Sequence, residues 1–257
     1  NVDVVFHLAA LLHIENPGTN LTAEYHRINV EGTRLVAERS VRAGIKRLIY
    51  FSTVKVYGSR RRLPIVEDFP PSPKSIYAQS KLQGESAVQA VTNLDSVTLR
   101  LSPVYGPRLK GSWERLVRTI ARGRFLPIGN LSNVHSLTHV DDVARASLIA
   151  AEHQDAAGRI FNVVGHESPT MQEILTAIYT ANDRVLPQFR VPSFLALLGA
   201  YSLEKSLGLI GKRSPVTVDA IRQLTEDETY SGQSLYRLGF SPSVELRKGW
   251  SGISPDD

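Results

Sequence analysis

Tyr77 and Lys81 are the residues whose types and spacing most directly suggest chemistry. On a helix, positions i and i+4 share a face, so a phenol and an ammonium four residues apart point the same way. A nearby cation favours the phenolate and lowers a tyrosine pKa from ~10 towards the working range. Such a phenol can take a proton from a secondary alcohol, or give one to a ketone, while a hydride moves to or from a nicotinamide. Lys81 has three donors and can also hold ribose hydroxyls. Alone, the Tyr-x-x-x-Lys spacing is commonplace, and a solvated pair on a helix surface is its simpler explanation. The upstream stretch Phe51-Ser52-Thr53-Val54-Lys55-Val56-Tyr57-Gly58 changes that balance. It puts the hydroxyls of Ser52 and Thr53 at the end of a predicted buried strand, and the carboxyl ends of strands are where α/β proteins bind ligands. Thr53 is expected to donate a hydrogen bond to the substrate oxygen and orient it against Tyr77.

The elements that must position these groups follow from periodicity. Val2 to Leu8 is a short apolar run ending in small residues, as in a buried parallel strand. A helix is predicted around Tyr25 to Ala43, stopped by Gly44. Lys46 to Thr53 reads as the next strand, and Ser59 to Ser75 as a polar, proline-rich loop. A second long helix starts near Tyr77 and runs to about Val91, and Ser96 to Leu101 is a strand closed by Pro103. Strands alternating with helices of this length imply right-handed crossovers and a parallel sheet. After Gly106 the composition shifts. Pro107 to Arg124 carries Arg108, Lys110, Arg115, Arg118, Arg122 and Arg124 against one acid, Glu114. A helix from near Trp113 would turn Leu116, Val117 and Ile120 inward and leave Arg115, Arg118 and Arg122 on one flank. Ile160 to Val164 is a further strand. Thr170-Met171-Gln172-Glu173 has the spacing of a capping box, in which each side chain satisfies an orphan amide at the other's end.

Bulk properties exclude several classes. The 257 residues include 42% hydrophobic and 21% charged residues, values that speak against disorder or a fibrous chain. With no cysteine there is neither a disulfide framework nor a thiolate metal site, which fits a reducing compartment. No His, Asp and Glu cluster has metal-ligand spacing, and His7 with His13 does not make one, so no metal is expected. The net charge of +5 is mild, and no basic-aromatic repeat supports nucleic-acid binding. Arg60-Arg61-Arg62 reads as a solvated loop, and Asp141-Asp142 as structural at a sheet–lobe junction. The most apolar later stretch, Phe194 to Ile210, is interrupted by Glu204 and Lys205 and falls short of a span, which needs ~20 apolar residues. A core or lobe helix is expected there, with peripheral membrane contact as the alternative.

The order of motifs resembles the extended short-chain dehydrogenases, the NAD-dependent epimerase/dehydratase family, with some likeness to the 3β-hydroxysteroid dehydrogenase branch. The matching pieces are Val4-Val5-Phe6-His7-Leu8-Ala9-Ala10, Ile28-Asn29-Val30-Glu31-Gly32-Thr33, Phe51 to Gly58, Tyr77 to Lys81, Arg100-Leu101-Ser102-Pro103-Val104-Tyr105-Gly106-Pro107, His139-Val140-Asp141-Asp142-Val143 and Leu238-Gly239-Phe240-Ser241-Pro242. The resemblance implies a Rossmann-type, doubly wound parallel sheet and a nicotinamide cofactor, NAD or NADP. It makes Thr53 the hydroxyl of a catalytic triad, Tyr77 the acid/base, and Lys81 the ribose contact and pKa-lowering cation. Leu8, Ala9 and Ala10 would line the cofactor, with Ser52 beside them. Asn29 would sit on the helix beneath the site, and Pro103 and Val104 would contact the nicotinamide end. The family's opening Gly-rich turn, which holds the pyrophosphate, has no counterpart here. The chain therefore reads as a fragment without the first strands of its sheet.

Residues 1–106 are expected to be a partial dinucleotide-binding domain, and 107–257 mainly a smaller substrate lobe with segments returning to the sheet. The leading functional expectation is a cytoplasmic nucleotide-sugar epimerase or dehydratase acting on a small molecule, with Arg108, Arg115 and Arg118 as candidates to hold a substrate diphosphate. The runner-up is a 3β-hydroxysteroid or sterol dehydrogenase, towards which Val191 to Ile210 and Leu224 to Ser231 lean. A non-catalytic, redox-sensing dinucleotide-binding protein is a third class, disfavoured because a sensor has no need of Thr53, Tyr77 and Lys81 together. A homodimer of the full-length protein is left open.

Overall fold

A computed structural model describes residues 2–12, 21–58, 63–166, 168–209, 211–212, 214–251 and 253. The readings made on His13 and on Arg60 to Arg62 fall outside them. The chain begins with β1 (Val4–His7), two residues shorter at the start than its apolar run. Next come α1 (Leu21–Tyr25), a π-helical turn (His26–Glu31) and α2 (Gly32–Arg42), where one uninterrupted helix was predicted. Gly44, with φ +69°, takes the left-handed conformation that ends this helix. β2 (Arg47–Thr53) leads through a short 3₁₀ turn (Val54–Tyr57) and the loop to α3 (Ile76–Gln89), whose amide at Ala78 is capped by the Ser75 hydroxyl. β3 (Ser96–Leu101) has the bounds read from the sequence.

Four strands form one fully parallel sheet in the order β1, β2, β3 and β6 (Ile160–Val163). Alternation along β2 assigns its two faces. Leu48 and Tyr50 pack with Ala37 of α2 and Val88 of α3. Ile49 packs the other way, with Val97, Leu99, Phe161 and Val163, against Val143, Ala146 and Ala150 of α5 (Val140–Glu152). Helices thus cover both faces, the α/β arrangement expected. Arg47 ties the amino end of β2 to the carboxyl end of α5. Its guanidinium donates to the carbonyls of Ala150, Ala151 and His153 while pairing with Asp95 at 2.8 Å. A cation there meets the negative end of the helix dipole.

The second layer is built on a small parallel ribbon of β4 (Val104–Tyr105) and β5 (Thr138–His139). α4 (Ser112–Ala121) buries Trp113, Leu116, Val117 and Ile120, as its pattern predicted. These join Ile174, Leu175 and Ile178 of α6 (Met171–Ala181) and Trp250 of α10 (Leu246–Trp250) in one core. The Thr170–Glu173 capping box is present with both reciprocal bonds. The remaining helices are α7 (Ser193–Leu209), α8 (Val218–Thr225) and the short α9 (Gln233–Tyr236). Among the described residues no helix is long and apolar enough to cross a membrane. Asp142 is structural, as expected. Its carboxylate accepts from Arg145 and from the backbone amides of Ser243 and Val244, clamping the late segment onto α5.

The sheet and α3 are pinned by Arg100 of β3 and Glu85 of α3, each 3% exposed and 2.7 Å apart. Arg100 makes two bonds to the carboxylate, and its guanidinium carbon lies 4.8 Å from the Tyr57 ring centroid. Glu85→Ala should cost about 3–5 kcal/mol in a denaturant titration, because it strands a buried guanidinium. Replacing both partners with apolar residues of similar volume should cost clearly less than either single removal.

Candidate active site

The carboxyl ends of β1, β2 and β3 open on one side of the sheet because the strands run parallel. A cavity of about 820 Å³ lies there. Its lining includes Ser52, Thr53, Tyr77, Pro103 and Val104 together with Lys110, Ser112, Trp113, Arg115, Arg118 and Gln223. Ser52 and Thr53 reach it because β2 ends in a 3₁₀ turn, with the Thr53 side chain accepting from the Lys55 amide. Tyr77 reaches it from the first turn of α3. Lys81, 2% exposed, lies one turn further on, its ammonium 4.2 Å from the Tyr50 ring centroid. Among the described residues no carboxylate is within 4.0 Å of that ammonium, so its donors remain available for hydroxyls.

Several residues important to this geometry belong to none of the motifs in the sequence. The Tyr25 ring is 6.3 Å from that of Tyr77, and its hydroxyl donates to the Leu12 carbonyl. Tyr50 supports Lys81 and donates to its carbonyl at 3.3 Å. Glu85 accepts from Ser52 at 2.5 Å and pairs with Arg100. Its position four residues beyond Lys81 and eight beyond Tyr77, on one helical face, was the available clue. Gly84 lets α3 approach closely. A Cβ there would fall 2.2 Å from the Tyr50 hydroxyl and 2.8 Å from the Asn29 carbonyl.

The structure also separates residues that sequence reasoning grouped together. Asn29 is fully buried in the π-turn, and its amide is committed to protein. The side-chain oxygen accepts from the Leu11 amide at 2.7 Å, and the nitrogen donates to the Leu11 carbonyl and the Ser80 hydroxyl. It braces the segment after β1 against α3. Leu8, Ala9 and Ala10 follow β1 at the same sheet edge, exposed or half-buried, but Leu12 is the residue of that segment lining the cavity. Ser52 lines the cavity while giving its proton to Glu85. Arg115 and Arg118 are on the wall, with Arg118 also paired to Glu114 at 2.7 Å. Arg108 is exposed at φ +59° and stands outside the lining.

Electrostatics run against one expectation. Burial, reinforced by the Tyr25 phenol, pushes the Tyr77 phenol up to about 12. Burial also pushes Lys81 down to about 8, against the pull of Glu85. Desolvation disfavours the charged form of each, so the lowering of Tyr77 expected from a neighbouring lysine is outweighed. Burial, with the Lys81 charge adding, lowers His7, whose ring is hydrogen-bonded to Thr33 at 2.9 Å. The residues present fit a dinucleotide: a desolvated ammonium at Lys81, the hydroxyls of Ser52 and Thr53 at the end of β2, the first of them held by Glu85, and lining groups at Pro103 and Val104. Among the described residues no metal-binding cluster exists.

The NAD dependent epimerase/dehydratase family matches residues 1–164. An N-acetyl-alpha-D-glucosaminyl-diphospho-ditrans,octacis-undecaprenol 4-epimerase of Escherichia coli O157:H7 is 24% identical, over 89% of this chain and 70% of its own length. A 3beta-hydroxysteroid-dehydrogenase/decarboxylase of Arabidopsis thaliana is 29% identical, over 96% of this chain and 60% of its own length. The solved UDP-glucuronic acid 4-epimerase from Bacillus cereus in complex with NAD superposes with a TM-score of 0.75, covering 100% of this chain and 74% of that one. At 23% identity that likeness speaks for the Rossmann-type fold. The chain is that of a nicotinamide-dependent enzyme of epimerase/dehydratase type, and it belongs to the NAD dependent epimerase/dehydratase family.

Proposed function

We propose that the protein acts on the secondary alcohol of a nucleotide sugar, as an epimerase or dehydratase, with residues 1–106 presenting the cofactor and 107–257 mainly the substrate. One observation supports this reading: Thr53, Tyr77, Arg115 and Arg118 all line one cavity. The first pair suits a sugar hydroxyl, and a guanidinium fork suits a diphosphate.

Bound nicotinamide dinucleotide supplies the hydride acceptor and donor. Thr53 donates to the substrate oxygen and turns it towards Tyr77. With its phenol pushed up to about 12, Tyr77 holds its proton near neutrality and is set to donate to a carbonyl. To act as base it needs added positive charge beside it, which protonated Lys81 supplies from the same helix face. Lys81 binds ribose hydroxyls through its ammonium. The apolar burial around the pair excludes water, which strengthens each of these interactions.

Tyr77→Phe in the full-length protein should lower turnover by ~10²-fold or more while leaving cofactor binding nearly unchanged. Near-normal turnover on the true substrate would remove Tyr77 from the mechanism. Lys81 adds a pH signature. Its folded pKa of about 8 lies below its ordinary 10.5, so between those values the unfolded chain binds more protons. Wild-type stability should therefore rise over that window relative to Lys81→Met. Below it the methionine variant should be the more stable protein and yet fail to turn over.

A 3β-hydroxysteroid dehydrogenase is the second reading, favoured by the Arabidopsis relative aligned over 96% of this chain. A sterol offers no diphosphate, so titration with UDP, dTDP and a sterol separates the two. Arg115→Ala or Arg118→Ala should weaken diphosphate binding by ~1.5–3 kcal/mol, the worth of hydrogen bonds to a charged group. No diphosphate binding, together with turnover of a 3β-hydroxysteroid, would overturn the sugar reading.

A further inference from the structure

Helix α7 is apolar around its circumference, yet of its side chains only Ala200 is buried. A helix of that composition belongs in a core or against lipid. Its inner face, Leu197, Ala200, Glu204 and Leu207, is buried or half-buried, and the Glu204 carboxylate accepts from the Val218 amide at the start of α8. Its outer face is the stripe Phe194, Leu198, Tyr201, Lys205 and Leu209, spaced at three and four residues and exposed along its whole length. Over 17 residues this stripe is about 25 Å long.

The stripe continues past the amino end of α7. Val191 bridges to Ile128, and Arg184 donates to the Ala121 carbonyl, so residues 184–191 run beside residues 121–128. Exposed Val185, Phe189 and Leu126 therefore extend the apolar strip, with Val185 90% and Phe189 68% exposed. The same segments carry Arg122, Arg124, Arg184, Arg190, Lys205 and Lys212, of which Arg184 and Arg190 also donate to the Ala121 and Asn130 carbonyls. Between residues 121–130 and 183–212 the acids are Asp183 and Glu204, and the second is turned inward to α8.

We propose that this face docks on an anionic lipid bilayer, with Val185, Phe189, Phe194, Leu198 and Tyr201 in the headgroup–acyl boundary and the six cations against the lipid phosphates. The occupant must be apolar and negatively charged at once, and an interfacial amphipathic surface with a basic flank has that chemistry. A second copy of the chain fits poorly, since a two-fold contact would set the same cations against themselves. α8 contributes Gln223 to the cavity wall and packs on α7, so the docked face would border the site. The inference is independent of which substrate that site takes.

The test is vesicle flotation of the full-length protein with phosphatidylcholine alone and with mixed phosphatidylcholine and phosphatidylglycerol, at low and high salt. Binding to the mixed vesicles at least about tenfold tighter than to phosphatidylcholine, and weakened by salt, is expected. Phe194→Ser with Leu198→Ser, and separately Arg124→Glu with Lys205→Glu, should each remove it while turnover in free solution stays unchanged, since none of the four touches the cavity. Failure to float with anionic vesicles would overturn the proposal. So would flotation that both double variants retain. Self-association in sedimentation velocity, lost in the Phe194→Ser, Leu198→Ser variant and unaccompanied by vesicle binding, would give the face to a second copy instead.

Discussion

Arg100 and Glu85 meet where two strands and a helix converge. Glu85 stands on α3, one turn after Lys81 and two after Tyr77. Its carboxylate accepts from Arg100 on β3 and from Ser52 on β2. The helix bearing the phenol and the ammonium is thereby fixed in rotation and height against the strand bearing Thr53. Ion pairs of this kind contribute little net stability, because desolvation offsets most of the attraction. Their strength is directional: a bidentate guanidinium tolerates little displacement. Placement of the reacting groups to a fraction of an ångström is what such a site requires, and this pair supplies it from beneath.

The same burial that makes the pair rigid sets the charge state above it. Tyr77 and Lys81 are held in surroundings that disfavour phenolate and ammonium alike. Each is displaced from its ordinary value in the direction that keeps it neutral. A site poised in this way responds strongly to any charge brought into it, since the local dielectric is low. Two rings stand beside Tyr77 and Lys81: the Tyr25 ring lies 6.3 Å from the Tyr77 ring, and the Tyr50 ring centroid lies 4.2 Å from the Lys81 ammonium.

How far the sequence could be read depended on the range of the interaction involved. α3, β3, α4 and the Thr170 capping box rest on local periodicity and capping chemistry, and their residues carry those patterns plainly. Thr53, Tyr77, Pro103, Val104, Arg115 and Arg118 were brought to one cavity because strand ends and helix starts recur at the same sheet edge. The partnership of Glu85 with Arg100 was not legible, because it joins residues on different elements whose relative height no local pattern encodes. Tyr77 was assigned the wrong direction of shift because sequence spacing reveals a neighbouring charge but not the depth of burial that outweighs it. For helix α7, read as a core or lobe helix with peripheral membrane contact as the alternative, hydropathy reports composition and not which face remains uncovered.

The π-turn at His26–Glu31 leaves its mark on how this helix can vary. A π-turn carries one residue more than an α-turn. Removing a residue there would relax the backbone into a regular α-helix, a change the helix itself would accept readily. The flanking helical segments would keep nearly their present phase, because the wider turn already absorbs the extra residue, and the change would fall on the residues of the turn itself. Asn29 could no longer clasp Leu11 and Ser80 together. The surplus residue therefore serves placement at one point. It carries Asn29 to Leu11 and Ser80, so a deletion within the turn would spare the phase of α1 and α2 and lose this one clasp, whereas a deletion on either side would turn the rest of the helix by about 100°.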